Sequence, residues 1–160
     1  MNDIRTGGTG YTRDNVLALE DAMHALVASG AMEPAEFPTE HFFVPGMYCR
    51  VMTMQAGVTF VGKVHKFEHF FILAKGEIVI TVGDEVTRLK APHVIASKGG
   101  VKRAGHVIEN CMCITVHKTD KTDLDEIEKE VIEDDPRALY DARNQLKDEV
   151  LTMNKPEVLS

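Results

Sequence analysis

Between residues 46 and 117 the chain breaks into short apolar, β-branched runs separated by glycine-bearing turns, and this pattern constrains the fold most. Met47-Tyr48-Cys49-Arg50-Val51-Met52-Thr53-Met54 alternates loosely. Ile78-Val79-Ile80-Thr81-Val82 is β-branched, and Gly83-Asp84-Glu85 turns the chain into Val86-Thr87-Arg88-Leu89. Ala91-Pro92-His93-Val94-Ile95-Ala96 is short and apolar, and Met112-Cys113-Ile114-Thr115-Val116-His117 closes the zone. Short strands at this spacing predict an all-β sandwich or barrel.

The flanks read differently. Val16, Leu19, Met23, Leu26 and Val27 recur at helical spacing, with Thr12 or Asp14 as a cap and Gly30 as the stop. Pro34, Pro38 and Pro45 then punctuate a loop. Beyond the strand zone, Thr122-Asp123-Leu124-Asp125 is a cap-like helix start, and Leu124, Ile127 and Val131 form one stripe. Pro136 is expected to open a second helix with Leu139, Ala142, Leu146 and Val150 on its apolar face. The expected organisation is one domain: a helix and proline-containing arm over 1–45, a barrel over 46–118, and a helical extension over 119–160.

With 160 residues and 44% hydrophobic content, such a domain can bury a real core. A net charge of -7 argues against binding long nucleic acid. No apolar run reaches the roughly 18 residues that would span a bilayer. The segment 1–11 is polar and glycine-rich, unlike a secretory signal. Cys49, Cys111 and Cys113 do not form a disulfide framework, and Cys111 and Cys113 share a strand face. A reducing, cytoplasmic setting is expected.

The chemistry concentrates between Gly57 and Gly76. Lys63, His65, Phe67 and His69 lie two apart, so an extended strand would turn them to one face, and a bulge would bring Glu68 onto it. Imidazoles there can ligate a metal or carry protons. His24 and His41 lie outside the strand zone and read as surface or loop residues.

This segment resembles the first motif of the cupin superfamily, Gly-x5-His-x-His-x3-Glu-x6-Gly. Lys63 stands at the place of the first histidine, His65 at the second, and His69 at the glutamate. For the second motif, Gly-x5-Pro-x-Gly-x2-His-x3-Asn, the preferred alignment sets Lys98, Gly100 and Arg103 at the proline, glycine and histidine places; a rival alignment uses His106 and Asn110. The resemblance implies a mainly β fold, a double-stranded β-helix (the cupin jelly-roll barrel), carrying an N-terminal helix and C-terminal helices. It also implies pairing into a homodimer. The whole chain is similar in style to small cupin-type proteins of tailed bacteriophages, which would place it in a host cytoplasm.

The resemblance implies one divalent metal ion as a cofactor. The departures from the motif bear on it directly, because ammonium and guanidinium groups bind anions rather than metals. The favoured reading is therefore a small-molecule-binding protein, and an enzyme of hydrolase or lyase type, acting on a small anionic ligand that bears a phosphate or is a nucleotide. Lys63, Arg103, Lys102 and Phe67 would bind it. His65 and His69 would act as acid and base with Glu68 orienting one imidazole. A viral protein of this kind would sequester or cleave a host nucleotide signal. The first alternative is a metal-dependent isomerase, lyase or dioxygenase using His65, His69 and a third ligand, with His106, Glu68 and His117 as candidates. The second is a non-catalytic assembly protein.

Overall fold

Side-chain alternation sets the central strands. In the computed structural model, which describes residues 3–6, 13–82 and 85–147, strand β3 covers Met47–Met54, with Tyr48 and Met54 buried and Arg50 and Met52 on the same parity. The strands before it are β1 (Asp3–Thr6) and β2 (Thr39–Val44), and helix α1 (Arg13–Ala28) lies between them. After β3 come β4 (Thr59–Val61), β5 (His69–Val82), β6 (Glu85–Lys90), β7 (His93–Ser97), β8 (Ala104–Lys118) and helix α2 (Leu124–Val131). The fold is mainly β with a helix towards either end. Two sheet strands, β1 and β2, come from the first 45 residues, where only a helix and an arm were expected.

The sheet is antiparallel in the order β1-β6-β5-β8-β3-β2, with β4 added to β8 and β7 to β5. Its spine is the pair of long strands β5 and β8. The first half of β5 also pairs with β7, and the second half with β6. Between the halves the β5–β8 register shifts around Lys75 to Glu77, which marks a bulge that bends the strand. Gly76 sits in this bulge at φ +88°, and a Cβ there would lie 2.3 Å from the Asn110 carbonyl oxygen. Only glycine meets both demands.

Beneath the bend lies the main core: Met54, Leu73, Ile78, Ile80, Leu89, Val107, Cys111 and Cys113. Burial of each large apolar side chain stabilises the fold by roughly 1.5–3 kcal/mol. The two core cysteines share a face as expected, their sulfurs 3.9 Å apart. Tyr48, Ile127, Val131 and Ile132 form a second cluster that docks α2 on the sheet. Asp123 caps α2 by accepting from the Glu126 N–H at 3.0 Å.

Two helical expectations change. α1 buries Val16, Glu20 and Val27, while Leu26 is 45% exposed. The stripe rotates because Glu20 is drawn in by buried Lys102, whose Nζ lies 2.8 Å from its carboxylate. Gly30, at φ +75°, ends the helix where expected. The second helix from Pro136 does not form over 136–147. The Asp135 carboxylate accepts from the Arg137 N–H, and that of Asp141 accepts from the Arg143 and Gln145 N–H groups. Such local bonds compete with helical ones, and Asn144 turns the chain at φ 57°. Thr12 and Val150 lie outside the described residues. No helix among the described residues is long and apolar enough to cross a membrane.

Candidate functional site

The segment from Lys63 to Glu68 is not a strand. It threads between the Gly99-Gly100 turn and the end of α2. The Gly100 N–H donates to the His65 carbonyl at 2.8 Å, the Lys66 N–H to the Val131 carbonyl at 2.8 Å, and the Glu133 N–H to the Val64 carbonyl at 2.9 Å. The expected alternation therefore fails, and the side chains part company. Lys63 turns to α2, where its Nζ bonds the Glu128 carboxylate and the Asp141 carbonyl. Phe67 is 60% exposed, and Glu68 is exposed with no hydrogen bond or ion pair among the described residues.

His65 and His69 still converge. Their ring centroids lie 4.1 Å apart, and His117 completes a trio at 4.9 Å from each. His69 opens β5 and His117 lies near the end of β8; both are buried. His117 is held from its other side by Tyr48, its cross-strand partner, whose ring is 6.0 Å away. Tyr48 in turn meets His41, with the Tyr48 hydroxyl 2.6 Å from Nδ1. His41 thus lies on β2 in contact with the core rather than in a surface loop.

All three imidazoles are held neutral. Burial is the main cause in each case. It pushes His117 down to about 3, helped by His69 and Arg50, and pushes His65 far below its ordinary range, helped by His69, Arg50, His117 and Arg103. His69 is lowered by burial and by Arg103 and Arg50, against the opposing pull of its bond to the Phe67 carbonyl. That bond, 3.1 Å from Nδ1, places the His69 proton, since a carbonyl can only accept. His69 Nε2 therefore keeps a lone pair.

Arginines supply the charge. Arg50 projects from β3 on the same side as Tyr48, and its cross-strand partner on β8 is Thr115, which faces Phe71 on β5. Arg103 closes this row: its guanidinium lies 6.0 Å from the Phe71 ring centre. Arg103 is pinned by Nε to the Thr81 carbonyl at 3.1 Å and by Nη1 to the Ser97 hydroxyl at 3.1 Å, which leaves other donors over. Among the described residues the Arg50 guanidinium has no hydrogen bond and no ion pair; Glu128, the acid it senses, is bonded to Lys63. The Thr115 hydroxyl in the same row is buried with no hydrogen-bond partner. A space of about 30 Å³ beside Arg50, His65 and His117 has room for a water-sized group or two.

Of the residues singled out in the sequence, the structure brings together His65, His69, His117 and Arg103. Phe67 and Glu68 stay outside, while Lys63 lines the small space beside His65 and His117 with its amine bonded to Glu128. Lys102 is buried elsewhere, against Glu20 and Asp135. His106 is exposed and bonded to the Thr59 hydroxyl at 2.8 Å, so of the two alignments it is Arg103 that reaches the site. Sequence reading passed over Arg50 and gave His117 too little weight. The signal was strand parity: Cys111 and Cys113 face the core, so Thr115 and His117 do as well, and Tyr48 and Met54 imply the same of Arg50.

The divalent metal implied by the resemblance does not fit these residues. Neutral imidazoles are suitable donors. Of the expected third ligands it is His117, not His106 or Glu68, that joins His65 and His69; yet among the described residues no carboxylate joins the trio, and Arg50 and Arg103 oppose a dication. Among the described residues no three His, Cys, Asp or Glu side chains are grouped so as to hold a metal ion.

The turn glycines Gly57 and Gly76 both take positive φ, and between them the chain delivers His65 and His69 to one end of a sheet built on two long shared strands. The fold is mainly β, one antiparallel sheet with β5 and β8 as its spine. No family model and no curated protein matches the chain. Similar solved structures include a cupin-2 domain containing protein from Shewanella frigidimarina, at 13% identity and a TM-score of 0.45, covering 57% of this chain and 89% of that one. A cupin superfamily protein from Desulfitobacterium hafniense is 15% identical with a TM-score of 0.43, covering 58% and 87%. KdgF from a Halomonas species is 11% identical with a TM-score of 0.48, covering 57% and 85%. So loose a likeness says nothing about ligand or chemistry at the site.

Proposed function

We propose that this cupin-like chain binds a small anionic molecule at the imidazole trio, with Arg50 and Arg103 as its charge partners. The observation that carries the reading is the row Arg50–Thr115–Phe71–Arg103 beside His65, His69 and His117. Among the described residues it combines a guanidinium with no ion pair, a buried hydroxyl with no hydrogen bond, and imidazoles that add no charge of their own. An oxyanion supplies the kind of acceptor that a guanidinium fork and a hydroxyl bind. The small space beside Arg50, His65 and His117, which Lys63 and Glu128 also line, is where the acidic end of a larger ligand would enter. His69 is the residue to take a proton from a bound substrate, through the lone pair on Nε2. Lys63 and Lys102 are occupied by acids of the protein and take no part.

Thermal unfolding with acetate, phosphate and sulfate tests this. A ligand at about 100 times its Kd stabilises by about 2.7 kcal/mol. For a chain of this size that is a rise of roughly 5–10 °C in Tm. The rise is expected in the wild type and is expected to vanish in Arg103→Met. Absence of any rise, or an equal rise in Arg103→Met and His69→Gln, would sink the proposal. One equivalent of tightly held transition metal in purified protein would favour a metal-dependent enzyme instead.

A further inference from the structure

A cavity of about 510 Å³ lies between α1, the loop 32–37, β3, β4 and the segment 138–144. None of the three clustered imidazoles lines it. Its walls are largely apolar, with Met23 and Val27 from α1, Met52 from β3, Phe60 from β4, and Met32 and Leu139 from the flanking segments. Arg50 lines both this cavity and the small space beside His65 and His117.

The two lysines on the wall are paired with acids. Lys102 is paired with Glu20 at 2.8 Å and lies 3.9 Å from Asp135, Lys63 is bonded to Glu128, and Glu33 is solvent-exposed. Tyr140 and Asn144 are also engaged, the first with the Ala35 carbonyl and the second with the Thr39 hydroxyl. Among the described residues that leaves the Arg50 guanidinium with no hydrogen bond or ion pair on the wall of a largely apolar chamber.

We infer that this chamber binds an amphipathic monocarboxylate, its apolar body against the methionine-rich wall and its carboxylate on Arg50. The inference rests on the reading of Arg50 as an anion partner and names the ligand class. The volume lies within the range of small-molecule sites, roughly 300–1,000 Å³. One unpaired cation among the described residues calls for a monoanion, and the planar guanidinium matches a carboxylate through two parallel hydrogen bonds. Met23, Met32 and Met52 make an adaptable wall, suited to a flexible chain more than to a rigid ring system. With the carboxylate on Arg50, the acidic end of the ligand reaches the wall shared with the imidazole site.

Titration calorimetry of the full chain with decanoate is the test. Saturable binding is expected, with decanol and decyltrimethylammonium binding more weakly. Arg50→Met is expected to weaken decanoate binding about tenfold or more. Met23→Trp fills the chamber without altering Arg50; it is expected to block decanoate while leaving the thermal response to acetate and phosphate intact. The inference is overturned if the wild type does not bind decanoate, if decanol binds equally well, or if Met23→Trp binds decanoate as the wild type does. Should Arg50→Met not fold, the Met23→Trp comparison still decides. Small anions binding without decanoate removes this inference alone. Decanoate binding through Arg50, without any response to small anions, removes the proposed imidazole site instead.

Discussion

Replacing Lys102 by Met separates a structural lysine from a ligand-binding one. Lys102 stands next to Arg103 in the sequence, yet its side chain is only 3% exposed and its Nζ lies 2.8 Å from Glu20, itself 8% exposed. Asp135 is 3.9 Å from the same nitrogen, so Lys102 ties the loop before β8 to α1 and to the segment after α2. Methionine keeps the length and fills the space, so the loss is almost wholly electrostatic. It leaves the Glu20 carboxylate buried, with Arg137 at 3.5 Å as its remaining cation. Breaking a buried pair from one side costs about 3–5 kcal/mol. Because Arg137 is half-exposed and partly compensates, the lower end is expected, about 3 kcal/mol, or a fall of roughly 6–12 °C in Tm. The double variant Glu20→Met/Lys102→Met removes both charges and is expected to recover to within about 1 kcal/mol of wild type. Urea unfolding followed by circular dichroism at pH 7 measures both, and the thermal response to anions should persist in each. A single variant within about 1 kcal/mol of wild type would refute this reasoning. So would loss of the anion response without loss of stability, which would return Lys102 to the ligand.

Stability should fall in acid through the buried histidines. Their pKa values are lowered on folding, so between the unfolded value near 6.5 and the folded value of about 3 for His117 the unfolded chain binds more protons. The stabilisation is complete above about pH 6.5 and is lost as pH falls, at about 1.4 kcal/mol per pH unit for each imidazole involved. Urea midpoints between pH 7.5 and 5 measure this slope; His117→Phe should flatten it, and an unchanged slope would contradict the burial argument. Lys63→Met should destabilise by about 1–2 kcal/mol, through its lost bond to Glu128, and leave anion binding unaltered by thermal shift. Gly76→Ala should cost about 3 kcal/mol or more, because the new Cβ adds a clash with Asn110 to an unfavourable φ; a folded variant with an unchanged urea midpoint would show the bulge to be dispensable.

Where local rules governed, the sequence was readable. β3 occupies the alternating stretch 47–54, α1 ends at its glycine, and Asp123 caps α2. The motif spacing from Gly57 to Gly76 located His65 and His69, since positive-φ glycines fix where the chain turns. Tertiary partners decided the rest. Strand parity cannot hold across 62–68, because that segment bonds to the Gly100 N–H and the end of α2 instead of to a sheet neighbour. Lys63 looked like a ligand residue because Glu128, its partner, lies 65 residues away in sequence. Glu20 sat unremarked on the apolar stripe of α1 for the same reason, its partner Lys102 being 82 residues on. Arg50 was legible in principle from the parity of Tyr48 and Met54, but its want of an acid partner is a property of the folded chain alone.

The central claim is that Arg50 and Arg103 make the imidazole trio an anion site. The most direct measurement is an NMR titration of the His65, His69 and His117 imidazoles at pH 7 with acetate and phosphate, repeated with one equivalent of zinc. Neutral imidazole signals that shift and saturate with anion, and do so no longer in Arg103→Met, are the predicted result. Signals indifferent to both anions but shifted stoichiometrically by zinc would contradict it.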